Sequence, residues 1–250
     1  MLLFLFAVAV LAGAMNSVAG GGSFLALPAL FFAGATPIVA NATSTAVLWP
    51  GSLSSLIAYR HELAATPGKW LLLLTAVSLA GGFAGAVLLV RTSDTSFMRL
   101  LPWLMLVAAV TFTFGGRLRR ARPALAAASA APPDRIMLVC VLQFVLSIYG
   151  GYFGGGMGFM MLAAFSLAGM VHIHEMNALK TLLGVAINGL ALLTFVVSGT
   201  VAWRFAAVMI AGSIVGGYSG AALARTIDPR WIRVLVIVIG WTMTIYFFVR

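Results

Sequence analysis

Acidic side chains are almost missing from this sequence. It holds 5 Asp and Glu against 15 Lys and Arg, and charged residues of both signs fill only 8% of its 250 positions. A soluble domain carries about 25%, so this chain has too little polar surface to face water on every side. The solvent that suits it is lipid, in keeping with a hydrophobic content of 62% and a mean hydropathy of +1.10. Cysteine occurs once, at Cys140, which excludes an internal disulfide and a thiolate metal site within one chain. No G-x-x-x-x-G-K-[ST] sequence is present, so an ATP-binding P-loop is excluded. The basic residues form no stripe with interleaved aromatics, which argues against a nucleic-acid partner. They lie instead in short loops between apolar runs, the mark of cytoplasmic loops.

What the chain does have is duplication. "AGGGSF" (Ala19 to Phe24) matches "FGGGMGF" (Phe153 to Phe159), and "ANATST" (Ala40 to Thr45) matches "MNALKT" (Met176 to Thr181). "GGFAG" (Gly81 to Gly85) pairs with "GGYSG" (Gly216 to Gly220), and "RTSDTSFMR" (Arg91 to Arg99) with "RTIDPRWIR" (Arg225 to Arg233). The four pairs keep their order at about 135 residues' separation, the signature of an internal repeat. Residues 1–116 form the first half and 135–250 the second, joined by a basic, Ala/Pro-rich linker over 117–134. The start, "MLLFLFAVAVLAGAMNSVAGGG", resembles a signal peptide but lacks a positive n-region. It has an internal copy at Leu138 to Gly156 and reads as part of the mature fold.

Each half contains three apolar runs long enough to cross a hydrocarbon core of about 30 Å, which takes about 20 helical residues. They are Val39–Tyr59, Trp70–Val90 and Phe97–Gly115, then Ala178–Val197, Phe205–Ala224 and Trp231–Val249. The first element of each half is shorter: Leu2–Ala14 and Ile136–Ile148, about 20 Å at 1.5 Å per residue. Glycines follow, then a second short piece, Phe24–Ala33 or Met157–Ala168. The expected fold is an all-α polytopic membrane protein with two repeats. Each repeat has a Gly-broken or re-entrant helix plus three transmembrane helices. Arginines 117, 119, 120, 122 and 135, in and beside the linker, assign it to the cytoplasm. Re-entrant hairpins would invert the halves and leave fewer basic residues outside than full crossings would, so charge favours inversion.

Irregular backbone at membrane depth is tolerated where it lines a cavity or is buried in protein. A helix start there offers unsatisfied N–H groups and a partial positive charge to an anion, and glycine lets the amides approach the ligand closely. The candidate substrate region is therefore Asn16, Gly20, Gly21, Gly22 and Ser23 with Gly154, Gly155 and Gly156. Asn41, Thr43, Ser44 and Thr45 add amide and hydroxyl groups, and Asn177, Lys180 and Thr181 are their repeat counterparts. Asn188 is a further candidate amide. A cation at membrane depth is costly and usually functional, so Lys180 is assigned to neutralise an oxyanion. The blander readings are packing for the glycines, interhelical bonding for the asparagines, and for Lys180 either snorkelling or an ion pair with Glu175.

Other motifs carry less. "HIHE" (His172 to Glu175) does not set two His on one helix face and is read as an interfacial loop, not a metal site. Asp94 and Asp228 are expected to cap the helices that follow them. Gly217 to Gly220 resembles the nucleophile turn of rhomboid-type proteases, but every His precedes Ser219, and Ala84 holds the serine's place in the first copy. Gly81/Gly85 and Gly216/Gly220 read better as small-xxx-small helix contacts. An enzyme is not expected.

The stretch Ala12 to Arg60, the Gly154–Gly156 copy and the duplicated layout resemble the TauE/SafE family of anion permeases over nearly the whole chain. That resemblance implies secondary transport of sulfite, sulfonates, sulfoacetate or related small anions across a bacterial cytoplasmic membrane. It places the substrate at the Gly-rich turns and the "NATST" stretch. Family members often carry a Thr-Ser pair where this chain has Lys180 and Thr181, so the anion's identity stays open. The partners expected are the anion and the bilayer, with a homodimer as one arrangement; no cofactor is expected. The rival readings are an anion channel and a non-transporting scaffold or assembly subunit.

Overall fold

The computed structural model describes residues 1–19, 21–64, 67–120, 136–167, 169–170, 172–223 and 229–249. All regular structure among them is α-helical, in eleven helices. The N-terminal part of the chain contains α1 (Leu2–Ala19), α2 (Ser23–Phe32), α3 (Pro37–Ala58), α4 (Arg60–Ala64), α5 (Gly68–Arg91) and α6 (Asp94–Arg120), which carries helix four residues into the expected linker. The C-terminal part contains α7 (Ile136–Tyr152), α8 (Met157–Leu167), α9 (Ile173–Val197), α10 (Trp203–Leu223) and α11 (Pro229–Val249). Within the described residues, Gly68–Arg91, Asp94–Phe114 and Ile173–Val197 are long and apolar enough to span a bilayer. Large apolar side chains such as Leu72, Val197 and Val249 stand outward, while Asn41, Thr43, Ser78, Gln143 and Ser147 are buried. Apolar outside and polar inside is the arrangement lipid demands.

Two expectations need correction. The first helix of each half is 18 or 17 residues long, not about 13, because the small and polar residues after Ala14 and Ile148 remain helical. Gly150 and Gly151 belong to α7, where the lack of a side chain serves packing. A Cβ on Gly150 would run into Met157, and one on Gly151 into the Gly82 carbonyl. The break itself is confined to Phe153–Gly156, with Gly154 at φ +78° and Gly156 at φ +76°, a backbone state that glycine adopts freely.

Asp94 supplies the other correction. It lies inside the first turn of α6, whose start is capped by Ser93, its Oγ accepting from the Ser96 amide at 3.2 Å. Asp94 Oδ1 instead accepts from the Ile38 amide at 3.0 Å, closing the start of α3. Asp228 lies outside the described residues.

Two helix pairs join the N-terminal and C-terminal parts of the chain: α1 packs on α10, and α7 packs on α5. Glycines make both contacts close: Gly212 and Gly216 meet the Phe6 and Val10 carbonyls, while Gly81 and Gly85 meet those of Phe144 and Ile148. Lipid supplies no hydrophobic drive between helices, so such small-residue faces carry the association. Gly220 lies outside the residues whose side-chain surroundings are described.

Helix directions follow from the contacts. α6 and α11 run antiparallel: Trp103 meets Phe248, and Thr113 accepts from Trp241 Nε1 at 3.1 Å. α3 and α9 do likewise, since Thr43 pairs with Ala202 beyond the end of α9 while Trp49 donates to Val185 O at 3.0 Å. The short helices run alongside their neighbours in the same direction. Phe24 and Phe31 of α2 follow Gly240 and Phe247 of α11; Gly156 and Phe159 at α8 follow Ala108 and Phe112 of α6. Matching glycine caps end the short helices, Gly34 after α2 and Gly169 after α8, both at φ +96°. Each supports a six-to-one bond, Ala35 N to Leu30 O and Met170 N to Phe165 O, the Schellman pattern.

Candidate functional site

The second break lies between α7 and α8. α7 ends at Tyr152, the chain turns through the glycines, and α8 starts at Met157. Tyr149 straps the turn: its hydroxyl lies 2.8 Å from Gly155 O and 3.1 Å from Leu104 O. The Gly154 amide donates to Tyr149 O at 3.3 Å, whereas the amides of Gly155 and Gly156 have no acceptor among the described residues. Gly156 flanks the first turn of α8, where amide donors lack intrahelical partners. Asn188 Oδ1 lies 3.7 Å from the position a Gly154 Cβ would occupy.

Lys180 reaches the same helix start from α9. Its aliphatic stem covers Gly158, with Cδ 3.2 Å from where a Cβ would be. No ion pair joins it to Glu175, and no partner for its ammonium is found among the described residues. A helix N-terminus and a lysine are both positive and repel each other, so the two together make this end of α8 electropositive.

At the first break, Gly20 lies outside the described residues. Gly21 and Gly22 are buried and Ser23 opens α2. A Cβ on Gly22 would meet Ala12 O and the Asn16 side chain, and one on Gly21 would meet Val236 and Phe112. Asn16 Nδ2 donates to Ser52 Oγ at a long 3.4 Å.

α6 joins the two breaks. Its Ala108 abuts Gly156, and one turn later Phe112 lies 3.8 Å, centroid to centroid, from Phe159 and 6.1 Å from Phe24. The interruptions therefore share a common neighbour and are not at remote ends of the molecule.

The α3 residues divide. Asn41 reaches the second break, Nδ2 donating to Tyr152 O at 2.9 Å. Thr43 is drawn away, its hydroxyl accepting from the Ala202 amide at 3.0 Å. Ser44 and Thr45 donate to Asn41 O at 2.9 and 3.2 Å, the local back-bonding typical of helical Ser and Thr. In α9, Thr181 donates to Asn177 O at 2.7 Å. Sequence reasoning missed Tyr149 and the buried set in which Gln143 Nε2 donates to Ser78 Oγ at 2.8 Å. A lone Gln in an apolar run is the signal that would have found the latter.

Residues 5–247 match the family model described as sulfite exporter TauE/SafE. The chain is similar to a probable membrane transporter protein of Haemophilus influenzae, at 29% identity over 98% of this chain and 93% of the relative. It is likewise similar to the probable membrane transporter protein YfcA of Escherichia coli K12, at 29% over 96% and 87%. A probable membrane transporter protein, ORF9, of a Sinorhizobium species is 28% identical over 98% and 91%. No solved structure matches the chain significantly.

Proposed function

This chain belongs to the TauE/SafE sulfite exporter family, a multi-pass membrane transporter family, and from that premise we propose that it is a secondary transporter of small sulfur oxyanions. Sulfite, sulfonates and sulfoacetate are the substrate class, held between the two Gly-rich helix breaks in a bacterial cytoplasmic membrane. One observation carries the reading. The acceptor-free amides of Gly155 and Gly156 stand at the start of α8, beside Lys180, which has no partner among the described residues. That is a positive site without its counter-charge. An oxyanion supplies the missing acceptors and offsets the cost of a cation at membrane depth. The hydroxyls of Ser23, Thr43, Ser44 and Thr45 and the amides of Asn16 and Asn177 are the second set of contacts. Asn16, Ser44 and Thr45 become donors to substrate where their present bonds open.

The proposal includes inverted repeats. Counterpart helices α3 and α9, and α6 and α11, run antiparallel, as a two-fold axis in the membrane plane requires. Alternating access would then rock one half against the other around the breaks. The chain has no P-loop, so the driving force is an ion gradient or the substrate's own gradient unless a partner ATPase supplies it.

Counterflow in proteoliposomes tests this. Labelled sulfite or a short sulfonate should accumulate transiently against an unlabelled internal pool and saturate with concentration. Conductance without counterflow would make the protein a channel, and no flux of any small anion would make it a scaffold.

A further inference from the structure

Asn41 is buried, with 1% of its surface accessible. Its side-chain amide has a fixed orientation: Nδ2 lies 2.9 Å from Tyr152 O, and a carbonyl oxygen can only accept. Oδ1 is the acceptor end of that amide, and it is buried without any hydrogen-bond partner. A buried acceptor left unsatisfied costs about 1–3 kcal/mol, and native structures rarely tolerate one without a ligand, ion or water to answer it.

The neighbours offer acceptors, not protons. Ser44 and Thr45 both spend their hydroxyl hydrogens on Asn41 O. Tyr152 O belongs to the last turn of α7, where carbonyls without intrahelical partners carry partial negative charge. An electropositive guest fits this environment. None of these groups is charged, and no cluster of His, Cys, Asp or Glu able to hold a metal ion exists among the described residues. That composition suits a hard monovalent ion bound by neutral oxygens and not a divalent or transition metal.

We infer that Asn41 Oδ1 and the carbonyl end of α7 form a binding site for a small monovalent cation, Na+. The cation meets the negative end of α7, and four residues further on the anion meets the positive end of α8. Half-helix ends divide the two charges in this way in other ion-coupled transporters. Each bound ion then favours the other, a reciprocal coupling. The coupling rests on the transport reading above, whereas cation binding does not.

The test uses the purified full chain without substrate. Binding of radioactive Na+ is measured by scintillation proximity, and melting is followed in sodium, potassium and choline chloride at one ionic strength. The site predicts saturable Na+ binding and a melting temperature that rises with sodium but not with choline. Asn41→Leu should abolish both, while Asn41→Asp, which keeps the acceptor oxygens and adds a negative charge, should keep both. Identical wild-type melting in sodium and choline would mean that a buried water answers Asn41, and would overturn the assignment even if Asn41→Leu fails to fold. Potassium matching sodium would overturn the choice of Na+. A protein that binds Na+ yet moves no anion in liposomes would support the site and refute the transport reading.

Discussion

Phe112 and Phe159 stand with ring centroids 3.8 Å apart at an interplanar angle of 41°, linking the middle of α6 to the first turn of α8. Phe112 is almost fully buried and also lies beside Gly21 and Phe24. One ring thus contacts both interruptions.

Phe112→Ala is expected to do two things. Removing a buried ring costs about 3–5 kcal/mol, which lowers the melting temperature in detergent. It also opens a gap between the breaks, so anion leak through proteoliposomes should rise while saturable counterflow falls. Phe112→Leu fills more of the gap and should restore tightness in part.

Helix contacts made by glycine give a sharper contrast. A Cβ at Gly85 would overlap the Ile148 carbonyl, whereas one at Gly217 would meet nothing within 4 Å. Gly85→Ala should therefore destabilise by about 1–3 kcal/mol, the range for overpacking, and Gly217→Ala should melt like the wild type. Thermal unfolding of the two variants side by side checks this.

Asp94 holds the start of α3 through the Ile38 amide. Asp94→Ala should cost about 0.5–2 kcal/mol, as loss of a cap does. Asp94→Asn keeps an acceptor oxygen and should retain most of the stability. Urea or thermal titration of both variants decides between capping and a charge effect.

Much of this architecture was legible in the residues. Apolar run lengths located α3, α5, α6, α9, α10 and α11 to within a few positions, because lipid fixes how long such runs must be. Short apolar runs after the glycine clusters pointed to α2 and α8. What composition did not reveal was which glycines bend the chain. Gly150 and Gly151 look like breakers in one dimension, yet they stay helical and pack closely against Met157 and Gly82. Asp94 likewise sits where a cap of its own helix is expected, and only the fold brings Ile38 within its reach. At the candidate site, Lys180 and the Gly154–Gly156 turn were readable as a pair of positive features. The pairing of Asn41 with Tyr152, 111 residues apart, required three dimensions.

The central claim is that an anion binds at the start of α8 between bare amides and Lys180. Sulfite counterflow in wild type, Lys180→Ala and Gly156→Leu tests it most directly, with Gly217→Ala as the folding-neutral comparison. The account predicts a large rise in half-saturating concentration for Lys180→Ala. For Gly156→Leu it predicts loss of counterflow, because that residue sits at φ +76° with Ala108 Cβ 2.7 Å from the added carbon. Saturable counterflow unchanged in both variants would contradict it.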